Sequence, residues 1–351
     1  MKTGISVYFG SGRATCERVI ERAAAAGVSY AFTSLQIPEE TGVDYGREAR
    51  HLLGLLRDAE ISLIVDVGPD TPAKLGCDSI EGLAGLGISH VRLDYGFTVE
   101  ETVALSRTFH IVFNASTVTR DEIAAWRAAG ADLTRFAACH NYYPKRFTGL
   151  ALNDMRRMND FLRSQGFQVL GFIPGDGEQR GPLFEGLPTV EEQRNRRSDV
   201  ARNLLELGAL GACDVVLVGD VDLSEAGWEQ LAAVSAGYVD VRCELEPDYE
   251  YLRGQVHHDR PDSSALVLRT PESRTSLRPA GGVPVDASAG AARPAGTIAV
   301  SNARYLRYEG ELEISRVDLP GDERMNIAGH VVAEDLRLLP LVRGGFGLRF
   351  A

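Results

Sequence analysis

An α/β fold is predicted, a (β/α)8 TIM barrel followed by a smaller all-β unit, and three observations predict it. Short apolar runs alternate with helical patterns from residue 4 to about 236, and the runs number eight. Thr and Glu recur at capping-box spacing just past several runs. Beyond about residue 237 the texture changes to strand-like pieces with no helical stretch between them. The boundary follows, with residues 1–236 as the barrel and 237–351 as the β unit.

In chain order the barrel strands are expected at Gly4–Tyr8, Tyr30–Thr33, Ser62–Asp66, His90–Leu93, His110–Asn114, Leu133–Cys139, Val169–Ile173 and Val215–Gly219. Each is short, and several are rich in β-branched residues, as strands buried on both faces are. Helices are expected to start at Thr98 with Glu101, Thr119 with Glu122 and Thr189 with Glu192. The connection Gly175–Pro188 exceeds the usual βα-loop length of about 2 to 6 residues, which marks it as a functional or mobile loop. In the β unit, strands are expected at Val239–Leu245, Ala265–Leu268, Thr297–Val300, Glu311–Ile314 and Ile327–Val332. They suggest a small barrel-like unit. Pro279–Gly296, dominated by Ala, Gly and Pro, reads as a flexible surface loop.

A formal charge of -12 argues against a general nucleic-acid binder, which needs a basic face, but local arginines can still hold a small anion. No secretory leader and no run of roughly 18 apolar residues is seen, so no membrane partner is expected. Five cysteines without ligand spacing suggest reduced thiols and a cytoplasmic setting. A homodimer is left open.

Substrates of parallel α/β barrels bind at the C-terminal ends of the strands. Those ends carry Asp66, Asp94, Asn114, His140, Asn141 and Asp220, a set rich in carboxylates and amides. The segment Cys139–Leu150, CHNYYPKRFTGL, crowds polar and aromatic groups behind an apolar run, as a ligand-binding turn does. Asp94 either serves chemistry or pairs with Arg92. The long loop adds Asp176, Glu178, Arg180 and Glu185, and Glu185 beside Phe184 could be kept protonated as a general acid. His140 has no HxH or HExxH partner, so no metal and no cofactor is expected, and it is read with Asn141 as a hydrogen-bonding group. Anion recognition rests on arginines: Arg180, with Lys145 and Arg146 as alternatives, and in the β unit Arg269 and Arg274 near His257 and Arg260.

Nearly full length, the residues resemble the MupG-type 6-phospho-N-acetylmuramidases of glycoside hydrolase family 170, formerly an uncharacterised "outer surface protein" family. The resemblance is carried by GISVYFG, FTSL at Phe32–Leu35, VDVGP at Val65–Pro69, RLDYGFT at Arg92–Thr98 and FNAS at Phe113–Ser116. It continues through CHNYYPKRFTGL, RGPLFEGLPT at Arg180–Thr189, His257–Arg274 and YEGELEI at Tyr308–Ile314, whereas the Ala, Gly and Pro-rich loop and the tail Arg343–Ala351 fall outside it. It implies a TIM barrel with a cyclophilin-like β-domain. It also implies a cytoplasmic enzyme of peptidoglycan recycling that cleaves 6-phospho-N-acetylmuramyl-N-acetylglucosamine to N-acetylmuramic acid 6-phosphate and N-acetylglucosamine.

The expected chemistry is then glycoside hydrolysis by a carboxyl pair, with Asp94 and Glu185 first and Asp66 in reserve. The substrate's 2-acetamido group is an alternative nucleophile. Asn114, His140, Asn141 and Tyr143 would position the sugar, and Arg180, Arg269 and Arg274 its anionic groups. Two rivals stay open, a metal-assisted phosphosugar lyase or isomerase and a non-catalytic sugar-phosphate sensor.

Overall fold

Eight parallel strands close into a barrel: β1 (Lys2–Ser6), β2 (Tyr30–Ser34), β3 (Ser62–Val67), β4 (His90–Leu93), β5 (His110–Asn114), β6 (Phe136–Cys139), β7 (Gln168–Ile173) and β8 (Val215–Val218). The computed structural model describes residues 1–34, 45–93, 96–275 and 281–351. Asp94 and Tyr95 of the RLDYGFT motif, Leu35 of FTSL, and Pro279 and Ala280 of the expected loop therefore lie outside the described residues. The chain divides into two compact units, Met1–Ser235 and Ala236–Ala351.

The strands sit within a few residues of their expected places. The sixth is shorter, because Asp132 accepts a hydrogen bond from the Thr134 amide and turns Leu133–Arg135 into a 3-10 turn before the chain extends. Helices α1 (Arg13–Ala25), α2 (Tyr45–Asp58), α3 (Thr71–Leu75), α4 (Val99–Leu105), α5 (Arg120–Ala128), α6 (Leu152–Ser164), α7 (Val200–Leu205) and α8 (Glu225–Ser235) follow the strands in turn. Thr98–Glu101 and Thr119–Glu122 form reciprocal capping boxes at α4 and α5. Thr189 does not cap a helix. Its hydroxyl accepts from the Phe172 amide and donates to the Asn141 carbonyl, and the 3-10 turn that follows begins at Glu191 after Val190. Fully buried, Thr189 thus bridges β7 and the loop after β6.

Phe32 on β2 and Phe172 on β7 meet edge to face at 5.1 Å. These strands are not neighbours, so the contact crosses the barrel interior, where Ile64, Val112, Cys139, Leu170, Val215 and Leu217 complete the packing. Gly4 has no room for a side chain there, since a Cβ would collide with Leu217. At the N-terminal ends of β4 and β5 the His90 and His110 rings stack at 4.6 Å, with Tyr30 edge-on to His90.

In the second unit, β9 (Tyr238–Val241), β10 (Cys243–Leu245), β11 (Val256–His258), β12 (Val267–Thr270), β13 (Thr297–Ser301), β14 (Leu312–Ser315), β15 (Met325–Val331) and β16 (Gly347–Phe350) make two sheets. One runs β10-β15-β13-β14-β12 and the other β11-β16-β9. The single strand expected over Val239–Leu245 is broken at Arg242. Its amide and guanidinium both bind the Asp335 carboxylate, so the chain leaves one sheet and enters the other. Two strands were not expected, β11 and β16. The tail becomes a strand because Phe350 is fully buried against His257 while β16 pairs with β9 and β11. The segment 281–296 is irregular but pinned. Val283 is buried, and Arg293 bridges to Leu319 and reaches Glu313.

Candidate active site

Strand alternation carries Ile64 and Asp66 to the same face of β3, and Asp66 pairs in register with Ser34 on β2 and Arg92 on β4. All three therefore meet at the C-terminal mouth. The Asp66 carboxylate accepts from Ser34 Oγ at 3.0 Å and from Arg92 Nη1 at 3.1 Å. The other arm of Arg92 donates to Asn141 Oδ1. Arg92 is 3% and Asp66 8% exposed, so this is an ion pair almost out of water, with the carboxylate fixed in place.

A cavity of about 230 Å³ opens on this pair, lined by Phe32, Asp66, Arg92, His140, Asn141, Tyr142 and Phe172. Tyr142 stands edge-on to Phe32 and Phe172, at 6.2 and 5.2 Å, so one wall is aromatic and the other ionic. A sugar ring needs both, an apolar face for its C–H groups and polar groups for its hydroxyls. Burial raises the Tyr142 phenol, helped by Asp66 and opposed by Tyr8, Arg180 and Arg92. The Arg180 guanidinium lies over the Tyr8 ring, 4.6 Å from its centroid, which brings it to the same sector.

His140 is fully buried, and both ring nitrogens are engaged. Asn159 on α6 turns its amide nitrogen to the Gly211 carbonyl, so its oxygen faces His140 and Nε2 donates to it at 2.7 Å. Nδ1 is then the acceptor for Ser116 Oγ at 2.9 Å, and Tyr143 donates to the same hydroxyl at 3.3 Å. His140 therefore forms a fixed wall and is not a free sugar donor. Burial pushes its pKa down to about 4, with Arg92 acting in the same direction and the Asn159 bond opposing. The unfolded imidazole titrates near 6.5, so between those values the unfolded chain binds more protons and stability rises with pH. It is lost as pH falls from about 6.5 towards 4, on the order of 3 kcal/mol in all. His90, held at about 4 by burial and by His110, adds to the same window. Denaturant midpoints measured from pH 4 to 7.5 should show this slope, and His140→Gln should flatten it; an unchanged slope in the variant would contradict the neutral, buried imidazole.

The other expected residues are dispersed. Asn114 ends β5 and accepts from the Ser116 amide, in a second pocket lined by Phe97, Thr117 and Trp126 among others. Glu185 does not line the Asp66 cavity, and its expected apolar setting is absent. Phe184 is turned outward, 63% exposed, and the Glu185 carboxylate is bound by Arg146 Nε. Asp220 accepts three backbone N–H groups, from Gly175, Arg180 and Leu187, and thereby ties the long loop to the end of β8. Asp176 binds the Ser224 amide and hydroxyl for the same purpose. The loop base is anchored, not a free lid. At Gly219 a side chain would strike the Leu187 carbonyl, so only glycine lets the loop lie this close.

Arg269 and Arg274 do grip an oxyanion, but it is the chain's own Glu311. Arg269 donates to it at 2.7 Å and Arg274 Nε lies 3.1 Å from its other oxygen, with the Glu311 side chain 3% exposed. Both guanidinia thus hold the chain's own carboxylate together. His257 is buried with Nε2 against the Leu252 carbonyl, and Arg260 pairs with Asp262. The sequence places Tyr142 in the ligand-binding turn but does not single out Ser34, Phe32 or Phe172 as lining groups, and it offers Arg92 only as a partner for Asp94. The signal for Arg92 was parity, since a charge inside a strand that pairs with Asp66 in register must share its barrel-facing side.

Among the described residues no group of three His, Cys, Asp or Glu side chains is arranged to hold a metal ion, and no helix is long and apolar enough to cross a membrane. A family model described as 6-phospho-N-acetylmuramidase, N-terminal, matches residues 3–233, and its C-terminal counterpart matches residues 239–351. The fold is similar to the crystal structure of a conserved protein from a locus in Enterococcus faecalis with an unknown function, at 32% identity and a TM-score of 0.74, over 100% of this chain and 96% of that one. It is also similar to an uncharacterized B. cereus protein at 25% identity and a TM-score of 0.72, over 100% and 99% of the two chains. No curated protein matches.

Proposed function

The chain belongs to the 6-phospho-N-acetylmuramidase family and is a glycosidase acting on a phosphorylated muramic sugar, and from that premise we propose its substrate and its chemistry. The substrate is 6-phospho-N-acetylmuramyl-N-acetylglucosamine, cleaved to N-acetylmuramic acid 6-phosphate and N-acetylglucosamine during cytoplasmic peptidoglycan recycling. The second unit is the family's cyclophilin-like domain. The observation that carries the chemistry is the Asp66–Arg92–Asn141 constellation on the floor of an aromatic-walled cavity.

A glycosidic bond breaks through an oxocarbenium-like state, which a fixed carboxylate stabilises and a carboxylic acid assists by protonating the leaving oxygen. Asp66, fixed by Arg92 and Ser34, suits the first role, attacking the anomeric carbon or polarising the 2-acetamido group that attacks in its place. Asp94, two residues after Arg92 in sequence, is the proposed acid; Glu185, bound by Arg146, is second choice. Asn141 and Tyr142 orient the ring, and Arg180 receives the phosphate or the lactyl carboxylate. Binding of that remote anion aligns the reacting centre. His140 acts through its neighbours, by fixing Tyr143 through Ser116.

The test is turnover of the muramyl disaccharide with and without its 6-phosphate, each with and without chelator. Phosphate-dependent, chelator-resistant cleavage is expected. Loss of activity on chelation would favour the metal-assisted lyase or isomerase, and tight binding without turnover the sensor.

A further inference from the structure

Two phenylalanines at the barrel mouth are placed against the ordinary preferences of their residue type. Phe147 is 87% exposed with φ 65°, and Phe184 is 63% exposed with φ 54°. A bulky side chain in the left-handed region costs about 1 kcal/mol or more, and an exposed ring gains no burial to offset it. Leu306 in the second unit shares this strain, so it is the joining of two such rings through adjoining loops that points to a use for them.

The two positions belong together. Arg146, just before Phe147, binds Glu185, just after Phe184. Arg194 stitches the same loops from below, donating to the Glu185, Gly186 and Tyr143 carbonyls. Glu191 accepts from the Phe147 amide, and Arg194 with that amide hold its carboxyl down at about 2. Leu187, three residues after Phe184, packs with Tyr142, which lines the Asp66 cavity. The far end of the Phe184 ring rests over Gly181, where a Cβ would stand 2.9 Å from it, while most of the ring stays open. Both rings are thus held on a cross-braced rim that continues from the cavity wall.

The cavity is too small for the whole substrate. At about 230 Å³ it falls below the roughly 300 Å³ of pockets that enclose a drug-sized ligand, so it takes one sugar ring. A glycosidase must hold groups on both sides of the scissile bond. The second sugar therefore lies outside, at the rim. We propose that Phe147 and Phe184 form the subsite for the leaving sugar, stacking on the apolar C–H face of its ring. This rests on the glycosidase reading of the Asp66 cavity. It adds a discrimination that the cavity itself lacks: sugar aglycones are preferred over small ones.

The experiment compares Phe147→Gly, Phe184→Gly and the double variant on the 6-phosphorylated disaccharide and on the methyl glycoside of the same 6-phosphosugar. Glycine suits a positive φ, so the variants should melt no lower than wild type. The kcat/KM for the disaccharide should fall about tenfold per ring, through KM, while that for the methyl glycoside stays within about twofold. Equal losses on both glycosides, or no loss on the disaccharide, would overturn the proposal. So would a change of oligomeric state on sedimentation, which would make the rim a contact between copies of the chain. If wild type cleaves neither glycoside, the substrate reading fails separately. The subsite is then probed by saturation-transfer NMR with methyl N-acetylglucosaminide, where transfer abolished in the double variant supports the proposal and unchanged transfer overturns it.

Discussion

Asp66→Asn is expected to lower kcat by on the order of 10³ or more, with KM little changed, because it removes a charge from the transition state and leaves the shape of the cavity intact. The asparagine oxygen can still accept one bond from Ser34 or Arg92, so the fold should persist. What it cannot supply is the negative charge that meets positive charge developing at the anomeric carbon. Arg92, 3% exposed, then loses its ion pair with Asp66, and stability should fall by about 1 to 3 kcal/mol. Arg92→Lys is the companion variant. An ammonium cannot span Asp66 and Asn141 as the guanidinium fork does, so it should raise KM and lower kcat together. Single-turnover rates on the phosphorylated disaccharide, with circular dichroism as the folding control, decide the matter. A kcat for Asp66→Asn within about tenfold of wild type would remove Asp66 from the chemistry and pass the role to Asp94 or Glu185.

The largest effect on stability is expected at Asp259, far in sequence from any of these groups. Its side chain is 0% exposed and that of its partner Arg316 is 2% exposed. Asp259 accepts from Arg316 Nη2 at 3.1 Å, from the Gly344 amide at 3.2 Å and from the Arg269 amide at 3.3 Å. It therefore joins β12, the segment after β14 and the turn before β16 in one buried knot. Arg316 also donates to the Leu339 carbonyl, and burial lowers its pKa despite the attraction of Asp259. Asp259→Ala should cost about 3 to 5 kcal/mol, since the guanidinium is left buried without its counter-charge and two backbone amides lose an acceptor. In calorimetry the second unit should melt on the order of 15 °C lower. Adding Arg316→Met should recover much of the loss, because an apolar replacement of a whole buried pair is often close to neutral. A loss below about 1 kcal/mol for the single variant, or no recovery in the double, would show that the knot carries little.

The barrel was legible because its signal is local and repeated. Each strand is an apolar run and each crossover a helical pattern, and two of three expected capping boxes formed where a Thr and a Glu stand three apart at a free helix end. The third failed at Thr189, where the helix start lost to a bridge between β7 and the loop after β6 that no local pattern shows. In the second unit, strand existence was legible but strand membership was not. The break at Arg242 depends on Asp335, and the strand at Gly347–Phe350 on β9 and β11, partners about a hundred residues away.

The site divides along the same line. By itself the sequence determined which groups would stand at the strand ends, since alternation along a barrel strand fixes that Asp66, Asn114 and His140 emerge at the C-terminal mouth. It also determined the family, through motifs spread over nearly the whole chain. Only the tertiary structure decided what each group is free to do. His140 is spent on Asn159 and Ser116, Asp220 on three amides of the long loop, and Arg269 and Arg274 on Glu311. Asp66 is bound as well, by Arg92 and Ser34, but lines an open cavity. The reason is physical. A buried polar group must find partners, and those partners are drawn from whatever the fold brings within about 3 Å, a property of three-dimensional neighbours that sequence spacing does not encode.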